Sequence, residues 1–369
     1  MFQNWLHPIE LPTENLKAHQ LGRNIKRFTD ELPNLKEARI AIIGIGERDA
    51  NAIREELYQL SFPYKGLEAA DLGNVRKKDI SFIIPIIREL LDGQIFPVII
   101  GNHPQQALAQ YKAFQVLQKL VSLAVVDDRI RYSLNQEDEQ AYFLREILDS
   151  KQASLFHLSF IGCQAHFIEP GIFEYLDGRH FDYLRLGSAK ANTPELEPLI
   201  RDADLLSLNL SALKHSEAPG QLDPGPTGFT VEEACQIARY AGMSDKLKAF
   251  GIYGYQQAND HKANDHKAQG AKAAALMAWY FLDGFYNRKG DFPVSTDGLV
   301  EYIVDFKKLD YQLTFWRSER SGRWWMQVPV KTRAKYQRHH LVPCSYNDYK
   351  MACQDELPER LVKALARFA

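Results

Sequence analysis

Short apolar runs alternate with amphipathic segments through the first 290 residues of the chain. The first clear run, at 39–46, is rich in β-branched residues and ends in glycines, and helical spacing follows at 49–60. Such runs are typical of parallel strands that are buried on both faces. The same alternation continues and predicts strands at 96–101, 123–127, 155–162, 205–210 and 249–255, and helices at 80–91, 104–120, 143–148, 231–241 and 271–285.

Strands that alternate with helices predict an α/β protein with three layers, α/β/α, around a mostly parallel central sheet. Sheets of this kind bind ligands beyond the carboxyl ends of their strands. We therefore expect the chemistry of this chain just after Ile100, Val126, Leu208 and Ile252.

The pattern changes near residue 290. Alternating positions at 299–306 and 312–316, a turn at 321–322 and a third run at 323–328 predict antiparallel strands, followed by a helix at 357–368. We therefore predict a main domain over 1–290 and a C-terminal β-hairpin and helix extension over 291–369. The extension is too small for a core of its own and should pack on the main domain.

Composition narrows the class of protein. The chain has 369 residues, of which 45% are hydrophobic and 25% charged, as in ordinary globular proteins. Its net charge of −2 argues against nucleic-acid and membrane-surface binding. No apolar run approaches the ~18 residues of a membrane span, and the start lacks a signal-peptide pattern. The four cysteines are scattered, which predicts reduced thiols. We therefore expect a cytoplasmic protein.

Six segments resemble, in order, motifs of the arginase/agmatinase/formimidoylglutamase (ureohydrolase) family. The family motifs are DLG, GGDHS, VDAHxD, SxDxD, APG…PxGLT and ExNP. The corresponding segments are 71–74 (DLGN), 97–105 (PVIIGNHPQ), 124–131 (AVVDDRIR), 207–211 (SLNLS), 218–230 (APGQLDPGPTGFT) and 251–255 (GIYGY). Their order and spacing carry the resemblance, which spans about 35–290 and implies the arginase fold.

The resemblance also implies a chemistry. In this family two manganese ions share a water and lower its pKa, so that hydroxide attacks a guanidino or formimidoyl carbon. Four Asp and two His residues hold the ions. In this chain the first His position falls on Pro104, with His103 one residue away, and the late Glu position falls at or near Gly254.

The other ligand positions are also altered. The VDAHxD-like segment keeps its first carboxylate as Asp127, but places Arg129 and Arg131 at the His and second Asp positions. The SxDxD-like segment places Asn209 and Ser211 at its two Asp positions. Two guanidinium groups beside two divalent cations would repel them strongly. We therefore expect no metal cofactor.

The two arginines suggest what fills the altered site. We expect Arg129 and Arg131 to pair with Asp127 or Asp128, with binding of an anionic ligand as the alternative. The first hypothesis is a non-catalytic binding or regulatory protein, and a homo-oligomer is possible. Its partner would be a protein or a small anionic or guanidino ligand. The second hypothesis is a hydrolase of linear amidines with an altered manganese site formed by His103, Asp127 and Asp128.

A tandem repeat of Ala-Asn-Asp-His-Lys occupies 258–267. One interpretation is a metal site that uses Asp260, His261, Asp265 and His266. The other is a duplication that lengthens a solvated loop, which we prefer because a spacing of five residues does not place both histidines on one helix face.

Basic and aromatic residues interleave in the extension. The candidates for partner binding are Arg317, Arg323, Trp324, Trp325 and Arg333, and a third hypothesis is binding of a protein or single-stranded nucleic acid through them. The alternative is a packed hairpin whose arginine stems lie along the surface. Because consecutive strand residues face opposite ways, we expect one of the two tryptophans to be exposed or to cover the site.

Overall fold

A mostly parallel sheet of ten strands forms the centre of the computed structural model, which describes residues 2–117, 119–135, 142–150, 154–257, 264–306, 311–328 and 339–368. Its strands are β1 Leu6–His7, β2 Lys26–Arg27, β3 Ile40–Ile45, β4 Ala69–Val75, β5 Phe96–Gly101, β6 Val121–Val126, β7 Leu155–Cys163, β8 Asp182–Arg185, β9 Leu205–Asn209 and β10 Ala249–Tyr253. They are ordered β1-β4-β3-β5-β10-β9-β6-β7-β8, and β2 also pairs with β4. Strand β1 runs antiparallel to β4, and every other pairing in this sheet is parallel.

Helices cover both faces of this sheet. They are α1 Leu21–Asn24, α2 Glu47–Gln59, α3 Ile80–Asp92, α4 Ala107–Val116, α5 Tyr142–Leu148, α6 Ile172–Asp177, α7 Leu186–Ala191, α8 Leu196–Arg201, α9 Val231–Met243 and α10 Asn264–Tyr286. Strand β3 shows why two helical layers are needed, because its side chains alternate between two apolar cores. Ile40 and Ile42 enter a core with α2, α9 and α10, whereas Ala41 and Ile43 enter a core with α3, α4 and α5. The predicted three-layer α/β/α architecture is confirmed.

A second sheet, antiparallel and four-stranded, follows in the C-terminal part. Its strands are β11 Leu299–Phe306, β12 Tyr311–Ser318, β13 Trp324–Gln327 and β14 Leu341–Cys344, ordered β11-β12-β13-β14, and helices α11 Tyr346–Cys353 and α12 Glu359–Phe368 follow. One face shares a core with the two helices, through residues such as Phe315, Ala352 and Leu361. The predicted hairpin is thus part of a larger sheet.

Charged side chains attach this second sheet to the rest of the chain. Arg201, at the end of α8, donates from Nη2 to the backbone oxygens of Trp324 at 3.0 Å and Cys344 at 3.3 Å. Its guanidinium also lies 4.3 Å from the ring centroid of Trp325. This buried arginine is therefore one of the links between the second sheet and the main α/β layers. The exact domain boundary at 290 stays a prediction.

The helices of the described residues were also considered as membrane spans. None of them is long and apolar enough to cross a membrane.

Candidate functional site

The carboxyl ends of three neighbouring strands bring together the altered motif positions. Strands β10, β9 and β6 are adjacent in the sheet, and β5 lies beside β10. Asp127 follows β6, Asn209 ends β9, and Ser211 lies in the turn after it. Parallel strands end at one edge, so residues far apart in sequence meet here.

Asp127 is the centre of this cluster. It is 1% exposed, and both of its carboxylate oxygens are fully engaged. Oδ1 accepts hydrogen bonds from the Ser211 hydroxyl and the Asp128 amide, each at 2.9 Å. Oδ2 accepts from Asn209 Nδ2 at 2.6 Å and Arg131 Nε at 2.8 Å. Burial opposes ionisation of Asp127, but Arg131 and these hydrogen bonds outweigh it and lower its pKa.

Arg131 connects this cluster to the loop that follows β9. Its Nη2 atom donates to Ser211 Oγ at 3.1 Å and to Asp223 Oδ2 at 2.9 Å. Asp223 was not among the candidates from the sequence, although it lies within the segment at 218–230. Its partner is 92 residues away, so local patterning carried no signal for the contact.

The second arginine pairs with the second carboxylate. Arg129 donates from Nε and Nη2 to the two oxygens of Asp128, each at 2.9 Å, in a bidentate ion pair. Its guanidinium lies 4.9 Å from the ring centroid of Phe167. Burial raises the pKa of Asp128 to about 6, against the opposing effect of Arg129. The predicted pairing of both arginines with Asp127 and Asp128 is present.

At the remaining motif positions, His103 and Gly254 each accept a hydrogen bond from a backbone N–H. His103 is exposed, and its Nδ1 atom accepts a hydrogen bond at 3.2 Å from the amide of Gln105, which caps the turn that begins at buried Pro104. Partial burial and then the charge of Arg131 lower the pKa of His103. Gly254 has φ +87°, a conformation that favours glycine, and its carbonyl accepts from the Leu222 amide at 2.9 Å.

Solved structures with the same architecture place the chain among known folds. No family model matches the sequence, and no curated protein matches it. Among solved structures, Trypanosoma cruzi formiminoglutamase with Mn²⁺₂ is 17% identical over 70% of this chain and 100% of its own, with a TM-score of 0.59. The chain has the arginase (ureohydrolase) fold.

Two further matches agree. Bacillus subtilis formimidoylglutamase is 15% identical over 76% of this chain and 95% of its own, with a TM-score of 0.62. Thermoplasma volcanium agmatine ureohydrolase is 18% identical over 71% of this chain and 94% of its own, with a TM-score of 0.55. At these identities the likeness concerns the arginase fold.

The manganese pair that the arginase fold implies does not fit the residues at these strand ends. Within the described part of the chain, no group of three or more His, Cys, Asp or Glu side chains is arranged to hold a metal ion. The oxygens of Asp127 instead receive a guanidinium, an amide, a hydroxyl and a backbone N–H. The repeated Asp260, His261, Asp265 and His266 side chains lie outside the described residues.

Several buried polar atoms near the strand ends lack a partner among the described residues. They are Gln164 Nε2, Ser207 Oγ, Asn209 Oδ1 and Gln221 Oε1. Buried polar atoms are nearly always satisfied by protein, water or ligand. These four atoms therefore have hydrogen-bonding capacity that the described residues do not use.

The candidate partner-binding residues of the extension mostly lie inside it. Trp324 and Trp325 are 8% and 1% exposed, so neither is exposed. Among the described residues, their ring contacts include Tyr349 and Arg201 and not the residues around Asp127, as covering of the site would require. The buried Arg323 side chain is 3.3 Å from Glu197 and donates to the Met243 carbonyl at 3.1 Å. Both tryptophans are buried because opposite faces of β13 are covered, one by α11 and the other by Arg201.

The two other arginines of this set differ. Arg317 is exposed, with its guanidinium 5.9 Å from the Trp324 ring centroid. Arg333 lies outside the described residues.

Proposed function

We propose that this chain is a non-catalytic binding or regulatory protein built on the arginase fold, in which arginines have replaced the manganese ions. The observation that carries the proposal is the saturation of Asp127 by four hydrogen-bond donors, one of them the guanidinium of Arg131. Asp127 is the one motif carboxylate that the sequence retains. With its lone pairs used in this way, no described carboxylate at the motif positions is free to bind a metal.

Electrostatics supports the same proposal. A divalent cation placed at Asp127 would meet the positive charge of Arg131 within a buried cluster, where charges interact much more strongly than in water. Displacement of Arg131 would also remove the partner of Asp223 at 2.9 Å. A metal would therefore have to break two ion pairs before gaining its first ligand.

The charge of the cluster favours one class of small ligand. Asp127, Asp128 and Asp223 outnumber Arg129 and Arg131 by one charge when all five are ionised. An added anion would increase this excess, whereas a guanidino compound would neutralise it. A guanidino ligand such as arginine or agmatine is therefore favoured over an anionic one.

Metal content after incubation with excess Mn²⁺ and desalting is the test of the proposal. We expect no retained metal, together with saturable binding of arginine or agmatine by calorimetry. Retention of about two ions per chain would overturn the proposal, because arginase-type chemistry uses a metal pair. Retention of about one ion would instead indicate a rebuilt site, to be examined with His103→Ala and Asp127→Asn.

The second candidate is a hydrolase of linear amidines with an altered manganese site. The observation in its favour is Asp128, whose pKa of about 6 is close to that of a useful general base. Release of urea from arginine and agmatine, and of ammonia or formamide from formimidoylglutamate, would support it. Absence of product with and without Mn²⁺ counts against it and leaves the binding function.

A further inference from the structure

One level of the C-terminal sheet, meaning one row of residues paired across its four strands, carries an aromatic and basic surface. Val300, Arg317, Trp324 and Cys344 lie directly opposite one another on β11, β12, β13 and β14. Their side chains share the face that α11 and α12 cover elsewhere. At this level the cover is incomplete, because Val300 and Arg317 are exposed.

The first turn of α11 adds stacked rings to this level. Tyr349 stacks on Trp324, with ring centroids 4.7 Å apart and planes 23° apart, and on Tyr346, at 5.9 Å and 25°. Tyr346 is the outermost ring and is 55% exposed. Lys350, one turn later, places Nζ 5.4 Å from the Tyr346 ring centroid. Trp324 and Tyr346 also contact each other, at 5.7 Å, so the three rings form one cluster with a cation beside two of its members, Arg317 at Trp324 and Lys350 at Tyr346.

The two cations, Arg317 and Lys350, differ in their ion pairing from other basic residues of the extension. Arg360 pairs with Glu195 and Asp348, and Lys363 pairs with Asp182 and Glu359. Arg317 and Lys350 form no ion pair with a carboxylate of the described residues; their contacts are with the rings of Trp324 and Tyr346. Positive charge is thus presented outward beside an exposed aromatic face.

We propose that this surface, formed by Val300, Arg317, Tyr346 and Lys350, docks an acidic peptide segment of a protein partner. Carboxylates of the segment would pair with the two cations, and an aromatic side chain would stack on Tyr346. This interaction is separate from the proposed small-ligand function at the strand ends.

Charge favours a peptide over nucleic acid as the occupant. Single-stranded nucleic acid needs a basic groove that follows several phosphates. This surface presents two cations, and the exposed acidic residues Glu301 and Glu319 lie on or next to the same strands. The whole chain carries a net charge of −2. A segment with one or two carboxylates suits this surface better than a polyanion.

Fluorescence anisotropy with the full-length chain tests the proposal. The probe is a short fluorescein-labelled peptide of alternating Glu and Tyr residues, and its matched control has Lys in place of Glu. We expect binding of the acidic peptide with a Kd of about 10–100 µM, and no binding of the basic one. The double variant R317E/K350E should weaken binding at least about tenfold, and Tyr346→Ala about fivefold.

Arg320→Glu, compared with the single variant Arg317→Glu, is the control matched in charge, because Arg320 is exposed and lies near Asp297 outside this surface. It should leave the affinity unchanged, and circular dichroism should show all variants folded. Equal weakening by Arg320→Glu would overturn the proposal as non-specific charge attraction. Failure of the acidic peptide to bind would overturn it too. Tighter binding of oligo(dT) that is lost in R317E/K350E would replace it with a nucleic-acid surface.

Discussion

Arg131 supplies, from within the chain, the positive charge that Asp127 requires. A buried carboxylate is unstable unless it is paired and hydrogen-bonded. The guanidinium lies 2.8 Å from Asp127 and 2.9 Å from Asp223, so one side chain neutralises groups on two loops. Asn209 and Ser211 complete the arrangement as neutral donors. The side chains of Arg131, Asn209 and Ser211 thus form one unit around the Asp127 carboxylate.

Arg131→Ala should destabilise the chain by about 3 kcal/mol, since it leaves Asp127 buried without its counter-charge. Urea denaturation followed by circular dichroism measures the loss. Lys26→Ala is the control, because the side chains of Lys26 and its partner Glu68 are 40% and 45% exposed, and loss of such a surface ion pair should cost much less stability than loss of the buried one.

The same Arg131→Ala variant should gain affinity for divalent cations. Without the guanidinium, Asp127 and Asp223 become available to a cation, so Mn²⁺ should raise Tm in the variant and not in the parent chain. The double variant D127N/R131A should lose this response. If Arg131→Ala is folded but its Tm does not change with Mn²⁺, Arg131 does not occupy the place of a metal ion.

Asp128 should make binding of a guanidino ligand dependent on pH. Its pKa is raised to about 6, so its negative charge is present above pH 6 and is lost as pH falls through that value. The affinity for agmatine should therefore fall by up to about tenfold between pH 7.5 and pH 5. Asp128→Asn should bind more weakly at pH 7.5 and lose this dependence, as calorimetry at both pH values would show.

At the scale of elements, α12 is held to the sheet by a buried network of charges. Arg367 donates to Asp182 at 2.7 Å and to Asp202 at 3.1 Å. Lys246 donates to Asp202 at 2.7 Å, and His157 lies 2.9 Å from Asp182. Burial opposes ionisation of Asp202, but Lys246 and Arg367 outweigh it and lower its pKa to about 2. Arg367 therefore links the last helix to two separate segments of the main layers.

Arg367→Met should loosen α12 while the rest of the fold persists. Hydrogen exchange should accelerate in 359–368, and the stability should fall by about 2–4 kcal/mol. Because the folded pKa of Asp202 is depressed, its contribution is present above the unfolded value of 3.8 and is lost as pH falls towards 2.

Acid titration is the companion measurement. The parent chain should lose stability over that pH window more steeply than Arg367→Met, in which Asp202 keeps only Lys246 as its cation. Equal slopes would show that Arg367 does not stabilise the ionised carboxylate.

Elements defined by continuous apolar runs could be predicted from sequence, whereas those built on distant polar contacts could not. Strand β5 has the predicted bounds, Phe96–Gly101, because its residues form such a run. Strand β4 was missed because it contains Asp71 and Asn74, which are buried only because Arg54 donates to them at 2.8 Å and 2.6 Å. The pairing of Arg129 and Arg131 with Asp127 or Asp128 could be predicted because these residues are close in sequence. The contact between Arg131 and Asp223 could not, because 92 residues separate them.

At the scale of the whole molecule, the extension completes the surface of the main layers. Arg201 and Lys246 are both buried. Arg201 donates a hydrogen bond to the Trp324 carbonyl, and Lys246 lies within hydrogen-bonding distance of His339 Nδ1, and both partners belong to the extension. Removal of the extension would leave these buried cations without those contacts. The arginase fold of this chain is therefore expected to depend on its C-terminal part.

A chain truncated after residue 290 should be less stable than the full chain. It exposes the buried side chains of Arg201 and Lys246, which contact the extension in the full chain, so Tm should fall by about 5 °C or more. Differential scanning fluorimetry measures the change. An unchanged Tm would show that the main layers fold independently of the extension.

The hydrogen bonds of Arg201 bear on how the sequence can change over evolutionary time. The two oxygens that Arg201 binds belong to the main chain, so they are present whichever residues occupy positions 324 and 344. Replacement at those positions leaves both hydrogen bonds available, whereas replacement of Arg201 removes both. The residue types at positions 324 and 344 can therefore change with the packing of the extension while its attachment through Arg201 stays the same.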